Sequence, residues 1–217
     1  MPLTLDWHYD VLSPFARIAL EAMRDLPGDP TIRPRATLLG ALLKHWGQLG
    51  PAEVEPKRLH TYRLALHLAG RHGLDLRFPP THPFNPLPAM RLLAGLNDAE
   101  GADLEQVRIA LGMVWDEGRA LDDETAIREL ADRLGADPSL ALADPSKSAL
   151  RHTTDEAIAA GVFGVPTVVM RHDGRTYTFW GVDALPLLRD ALLNPGIMER
   201  GAMGDIANVQ YGVRRRA

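Results

Sequence analysis

The order of periodicities along the chain predicts an α/β fold cut in two by a long helical insertion. Three observations carry this. The first forty residues read strand, helix, strand; from about Gly40 to Gly161 only helical periodicity is seen; and the closing stretch reads strand, strand, helix. With 217 residues, 46% of them hydrophobic, the chain can bury a sizeable core as one domain or as a domain carrying an insertion.

Leu3-Thr4-Leu5-Asp6-Trp7-His8-Tyr9 alternates apolar and polar residues, the period of a strand with one buried face. Ser13 suits an N-cap and Pro14 a first helical position, where a missing N–H removes nothing the helix uses, so a helix is expected from about Pro14 to Arg24. Thr31 to Leu39 reads as a second strand; Pro34 cannot donate to a ladder and confines it to an edge or irregular position. In the middle block, Leu104, Val107, Leu111, Val114 and Trp115 recur at helical spacing after a capping Asp103, and Ile127, Leu130, Ala131 and Leu134 repeat the pattern before Gly135. Loops rich in Pro and Gly, at Gly47 to Pro51 and Phe78 to Pro88, separate the helices. Pro166 to Met170, a turn at His172-Asp173-Gly174 and Thr176 to Trp180 form a hairpin, and a helix follows at Asp183 to Leu193. A split βαβ and ββα pair is the thioredoxin arrangement. The expectation is a discontinuous thioredoxin-like domain, residues 1–40 and 162–217, with an inserted all-helical domain at 41–161. A helix bundle with stray strands is the plainer alternative.

Composition narrows the chemistry. The chain has no cysteine, so it can form no disulfide, act through no protein thiolate and offer no sulfur ligand; any thiol chemistry must use a borrowed thiol. A net charge of −4 argues against a nucleic-acid surface, and Arg214-Arg215-Arg216 reads as a solvated tail. No window approaches the roughly 18 apolar residues of a membrane span, and the start Met1-Pro2-Leu3-Thr4 lacks the regions of a signal peptide, so the chain reads as cytoplasmic, with no membrane partner. His67 and His72 lack the spacing of a zinc-binding helix, and no metal site is expected. No G-x-S-x-G or phosphate-cradling loop is present.

Two motifs point further. Tyr9-Asp10-Val11-Leu12-Ser13-Pro14-Phe15 closes the first strand, and Gly161-Val162-Phe163-Gly164-Val165-Pro166-Thr167 opens the hairpin after the helix Thr153-Thr154-Asp155-Glu156-Ala157. Alone, the first is a helix cap and the second a strand entry. In these motifs, and in Leu39-Gly40, Gly47, Pro51, Lys57, the Trp115 helix and Phe179-Trp180-Gly181-Val182-Asp183, the chain resembles 2-hydroxychromene-2-carboxylate isomerases and kappa-class glutathione transferases, within the DsbA-like branch of the thioredoxin superfamily.

The resemblance implies an enzyme with glutathione as cofactor and Ser13 as the catalytic residue, a hydroxyl that donates to a borrowed thiolate at a helix N-terminus. It implies a glutathione site built from Ser13, Pro14 and Phe15, from Val165 before a cis Pro166, from Val182 and Asp183 at the γ-glutamyl end, and from Gln48 and Lys57 at the glycyl end. Family members commonly carry Asn at Gln48, a small polar residue or Asn at Val182, and Arg at Ala184. Arg17 and the inserted helices are expected to line the side facing a small electrophilic substrate. Three activities follow: isomerisation of a chromene-carboxylate-like aromatic acid by reversible thiolate addition, transfer of glutathione to an electrophile, or binding by a redox-dead member. A homodimer is expected.

Overall fold

The computed structural model describes residues 3–210 and Gly212; Met1, Pro2 and the run Arg214-Arg215-Arg216 lie outside the described residues. Four strands form one sheet in the order β2-β1-β3-β4. Strand β1 (Thr4–Tyr9) runs parallel to β2 (Thr31–Ala36) and antiparallel to β3 (Thr167–His172), which pairs antiparallel with β4 (Arg175–Trp180). Strand β2 is therefore an edge. Pro34, in register with Trp7, sits where a missing N–H is tolerated.

Alternation along β1 sorts its side chains onto two faces. Leu5, Trp7 and Tyr9 are fully buried in the main core, with Met170 and Val168 as cross-strand partners of Leu5 and Trp7. The other face carries Asp6 and His8, both buried. Asp6 accepts from Arg33 on β2 at 2.6 Å and from Arg171 on β3 at 2.5 Å. Burial pushes its pKa up, but the two guanidiniums outweigh that and hold it below the ordinary value. Val169 on this face packs with Leu42, Ala157, Val162 and Val165 in a second, smaller apolar cluster.

The helices are α1 (Pro14–Ala22), α2 (Leu39–Trp46), α3 (Glu55–Arg71), α4 (Leu87–Ala99), α5 (Leu104–Trp115), α6 (Glu124–Leu134), α7 (Asp144–Ala159), α8 (Leu185–Leu193) and a short α9 (Gly201–Asp205). Asp103 caps α5 as expected: it accepts from the Gln106 N–H at 2.8 Å while the Gln106 side chain returns to the Asp103 N–H at 2.9 Å. Gly135 ends α6 at φ 62°, in the left-handed conformation. One apolar cluster runs from Leu5 and Trp7 through Leu92, Leu111, Met113 and Trp115 to Leu188, so the sheet and the inserted helices share a core.

Several boundaries differ from expectation: β3 runs on to His172, which was expected in the turn, α8 begins at Leu185 after a 3-10 turn at Val182–Ala184, and β2 and α1 both end early. Strand β2 stops at Ala36, because only the Thr37 N–H still reaches the ladder, at Tyr9 O. The next two N–H groups are captured elsewhere, Leu38 by Thr154 Oγ1 at 3.2 Å and Leu39 by Asp10 Oδ2 at 2.9 Å, and α2 starts there. Helix α1 ends at Ala22, with the Arg24 N–H bonded to Glu21 O in a tighter turn. No helix among the described residues is long and apolar enough to cross a membrane.

Candidate active site

The end of β1 delivers the loop Asp10 to Ser13, and nearly every polar backbone atom in it has a partner. Asp10 is fully buried and braces both sides: Oδ1 accepts the Leu12 N–H at 3.0 Å and Oδ2 the Leu39 N–H at the start of α2. Burial pushes its carboxyl up to about 6, against the pull of those two donors. The Asp10 carbonyl accepts the Ser13 N–H at 3.0 Å. The Val11 carbonyl accepts Trp115 Nε1–H and the Leu12 carbonyl accepts His82 Nε2–H, both at 2.9 Å.

Ser13 holds the N-cap position of α1 with extended backbone, φ −92° and ψ 115°, and Pro14 is the first helical residue. Its side chain does not cap. An N-cap hydroxyl ordinarily accepts an N–H of the first turn, yet Ser13 Oγ makes no such bond and lies 3.4 Å from the Val165 carbonyl across the end of the sheet. The hydroxyl is buried beside a helix end whose first N–H groups carry partial positive charge. Pro14 is buried and Phe15 half-buried next to it.

The facing segment runs from Val162 to Thr167. Its Val165–Pro166 peptide is cis, as the motif implied. Thr167 Oγ1 donates to Gly164 O at 2.7 Å, and no partner is recorded for the Val165 N–H among the described residues. The Gly181 N–H donates to Pro166 O at 2.9 Å, tying the end of β4 to the same segment. Gly181 has φ 82°, and a Cβ there would come within 2.4 Å of Asp183 Oδ1, so only glycine lets the Asp183 carboxylate fold back over this turn. The 3-10 turn Val182–Ala184 packs against α1, with Val182 buried and Asp183 exposed.

The structure thus gathers Ser13, Pro14, Phe15, Val165, Pro166, Val182 and Asp183 at one end of the sheet. Gln48 and Lys57 are not tied to that group. Gln48 closes the C-terminal turn of α2 through its backbone, Lys57 stands exposed in the first turn of α3, and among the described residues neither side chain makes a hydrogen bond or ion pair. Arg17, expected beside the inserted helices, meets the end of one of them. It is buried and turned onto α5, its Nε at 3.0 and 3.1 Å from the Asp116 carboxylate and Nη1 3.6 Å from Glu21, a helix-to-helix brace.

Sequence reasoning missed the supports of the loop. His82 and Tyr62, which bond each other at 2.7 Å, carry no local motif. It also missed Trp46, and it met Trp180 only as part of a motif; both are half-exposed and flank the proline segment. Trp46 Nε1–H donates to Val162 O at 2.9 Å, and Trp180 lies edge-on to Phe163 at 5.0 Å. Among the described residues no three His, Asp or Glu side chains cluster as metal ligands.

A helix-capping position opposite a cis-proline loop, at the end of a sheet ordered β2-β1-β3-β4, defines a thioredoxin-class architecture, here with serine at its helix start. The chain belongs to the DSBA-like thioredoxin domain family, whose model matches residues 4–193. It is 30% identical over 200 residues to the 2-hydroxychromene-2-carboxylate isomerase of Pseudomonas putida, covering 88% of this chain and 94% of that one. It is 27% identical over 207 residues to glutathione S-transferase kappa 1 of Homo sapiens, covering 88% and 92%. A solved 2-hydroxychromene-2-carboxylate isomerase shares the fold with a TM-score of 0.74 at 24% identity, over 92% of this chain and 100% of that one.

Proposed function

We propose that this chain is a glutathione-dependent isomerase acting on a 2-hydroxychromene-2-carboxylate-like aromatic acid. The observation that carries this reading is the Ser13 hydroxyl, buried at a helix N-terminus, unused as a cap and facing the Val165 carbonyl. Glutathione supplies what a chain without cysteine lacks, a nucleophilic thiolate able to add reversibly to a conjugated alkene.

The residues present fit that cofactor. Ser13 Oγ–H donates to the sulfur, and the first turn of α1 adds its partial positive charge. The Val165 N–H and C=O offer the cysteinyl backbone the pairing of an added strand. Asp183 would take the γ-glutamyl amine, with the Val182 backbone beside it; the assignment of Gln48 and Lys57 to the glycyl carboxylate rests on the family resemblance, since neither is tied to this group. Each step these residues perform is binding, orientation, or holding the sulfur deprotonated. The isomerase among the relatives favours isomerisation. Transfer of glutathione to an electrophile is the second reading, favoured by the similarity to the human kappa-class transferase.

The test measures the ultraviolet absorbance of bound thiolate against pH, with turnover of a chromene acid, a benzylidenepyruvate and chloro-dinitrobenzene. Ser13→Ala removes one hydrogen bond to a charged group, about 1.5–3 kcal/mol, and should raise the bound thiol's pKa by roughly one to two units. Turnover should then shift alkaline while the fold persists. If thiolate titration and rate are unchanged, Ser13 is a structural residue and the reading fails. We also propose a cytoplasmic homodimer, for which Trp46, Leu49, Leu59 and Leu66 offer exposed apolar surface; light scattering that returns only a 23.8 kDa monomer would remove the dimer.

A further inference from the structure

We propose that His82, held in one tautomer by Tyr62, is a positioning residue that fixes the Ser13 hydroxyl; its role in catalysis rests on the glutathione reading above. The argument begins with one peptide group. The Leu12–Ser13 peptide is planar, with its carbonyl on one side and its N–H on the other. The Leu12 carbonyl accepts from His82 at 2.9 Å and the Ser13 N–H donates to Asp10 O at 3.0 Å, so both ends of that plane are held. Only the φ and χ1 of Ser13 then remain to set where Oγ lies, and its first helical turn constrains φ. The Oγ to Val165 O separation is already 3.4 Å, so a small rotation of the plane breaks the facing geometry.

The chemistry of the pair assigns the protons. A carbonyl can only accept, so His82 Nε2 carries the hydrogen. Burial pushes the His82 pKa down, despite the bond to Leu12, so the ring is neutral near pH 7 and Nδ1 is an acceptor. The Tyr62 hydroxyl lies 2.7 Å from Nδ1 and 3.0 Å from the His82 carbonyl; its one hydrogen is shared between these two acceptors, and its share at Nδ1 keeps the ring proton on Nε2. Phe78, Phe84 and Trp115 surround the ring at centroid distances of 5.4 to 6.5 Å. A histidine among aromatics is ordinarily filler. This one spends its single donor on the carbonyl that precedes Ser13, 70 positions earlier in the chain.

The experiment compares wild type, His82→Phe, His82→Gln and Tyr62→Phe, with Ser13→Ala as reference. Phenylalanine keeps the aromatic packing and removes the donor; glutamine places an amide N–H near the Nε2 position. Two readouts are taken, the pKa of bound glutathione thiol and the amide exchange of Leu12 and Ser13 without ligand. In His82→Phe the thiol pKa should rise by about one unit, short of the Ser13→Ala shift. Glutathione affinity should stay near wild type and amide exchange should quicken. Glutamine should restore both readouts, and Tyr62→Phe should fall between, because the freed ring can place its proton on Nδ1. A folded His82→Phe with wild-type thiol pKa and exchange overturns the inference; if that variant does not fold, a Tyr62→Phe with neither change overturns it. If wild type shows no thiolate shift, the glutathione reading fails instead, and the exchange readout alone decides whether His82 holds the loop.

Discussion

Replacing Asp10 by asparagine should change the pH dependence of stability more than stability itself. The Asp10 carboxyl is fully buried, accepts two backbone N–H groups, and is paired with no cation among the described residues. Burial raises it from the ordinary 3.8 to about 6. A raised acid pKa means that the folded state binds more protons than the unfolded one between those two values. Stability from this group is therefore full below about pH 4 and falls as pH rises through 6, by about 3 kcal/mol for a shift of roughly two units. His8 works in the opposite sense in the same window. Burial first, opposed by Asp6, brings it from 6.5 to about 4, so its stability is full above about pH 6.5 and is lost as pH falls toward 4. The wild-type curve alone is thus nearly flat where both groups titrate, and the difference between wild type and Asp10→Asn isolates the carboxyl. Asparagine keeps one acceptor and presents an amide to the other N–H, an offset of about 1–3 kcal/mol that does not vary with pH. Urea unfolding from pH 4 to 7.5 should show the variant gaining about 3 kcal/mol on wild type, a shift of about 1 M or more in relative midpoint. Parallel curves across that range would refute the reasoning, because they would mean that Asp10 keeps an ordinary pKa.

Two further outcomes follow from packing. A Cβ at Gly95 would lie 2.0 Å from Ser146 Oγ and 2.9 Å from Ser146 Cβ, where α4 meets α7, so Gly95→Ala should destabilise by about 1–3 kcal/mol in urea unfolding, with part of the loss recovered by Ser146→Gly. Tyr9 stacks on Trp7 at 5.2 Å with its hydroxyl buried and unpartnered, so Tyr9→Phe should add about 1 kcal/mol, or about 2–4 °C in Tm; a loss of stability would show that the hydroxyl has a partner.

The parts of the fold legible in the sequence are those whose causes are local. Alternation in β1, the Pro34 edge, the Asp103 cap and the Gly135 stop depend on neighbours within a turn or a strand, and these are found as expected, while the hairpin is found with His172 in the strand and not in the turn. The end of β2 was not legible. Leu38 and Leu39 follow the strand with no break in the sequence, but their N–H groups go to Thr154 and Asp10, which only the folded chain brings near. In the site, Ser13 and Val165-Pro166 stand out only through the family resemblance, because locally a serine before proline is a helix cap and a valine before proline a strand entry. The partner of Arg17 was not legible, because Asp116, which its guanidinium meets, lies 99 positions away.

The supports of Ser13 come from far along the chain, and this changes what the inserted helices do. Trp115 at the end of α5 and His82 in the loop before α4 each spend a ring N–H on a carbonyl of the loop Asp10 to Ser13. Leaving such a buried carbonyl unpaired costs about 1–3 kcal/mol, so the insertion and the loop stabilise each other. A substitution that loosens the aromatic group of Tyr62, Phe78, His82 and Trp115 therefore acts on the position of Ser13 without touching it. Under the proposed function, such a change lowers the fraction of thiolate before it unfolds the chain. The separation is physical: one peptide plane turns on the loss of a single bond, while the apolar cluster from Leu5 to Leu188 continues to hold the fold.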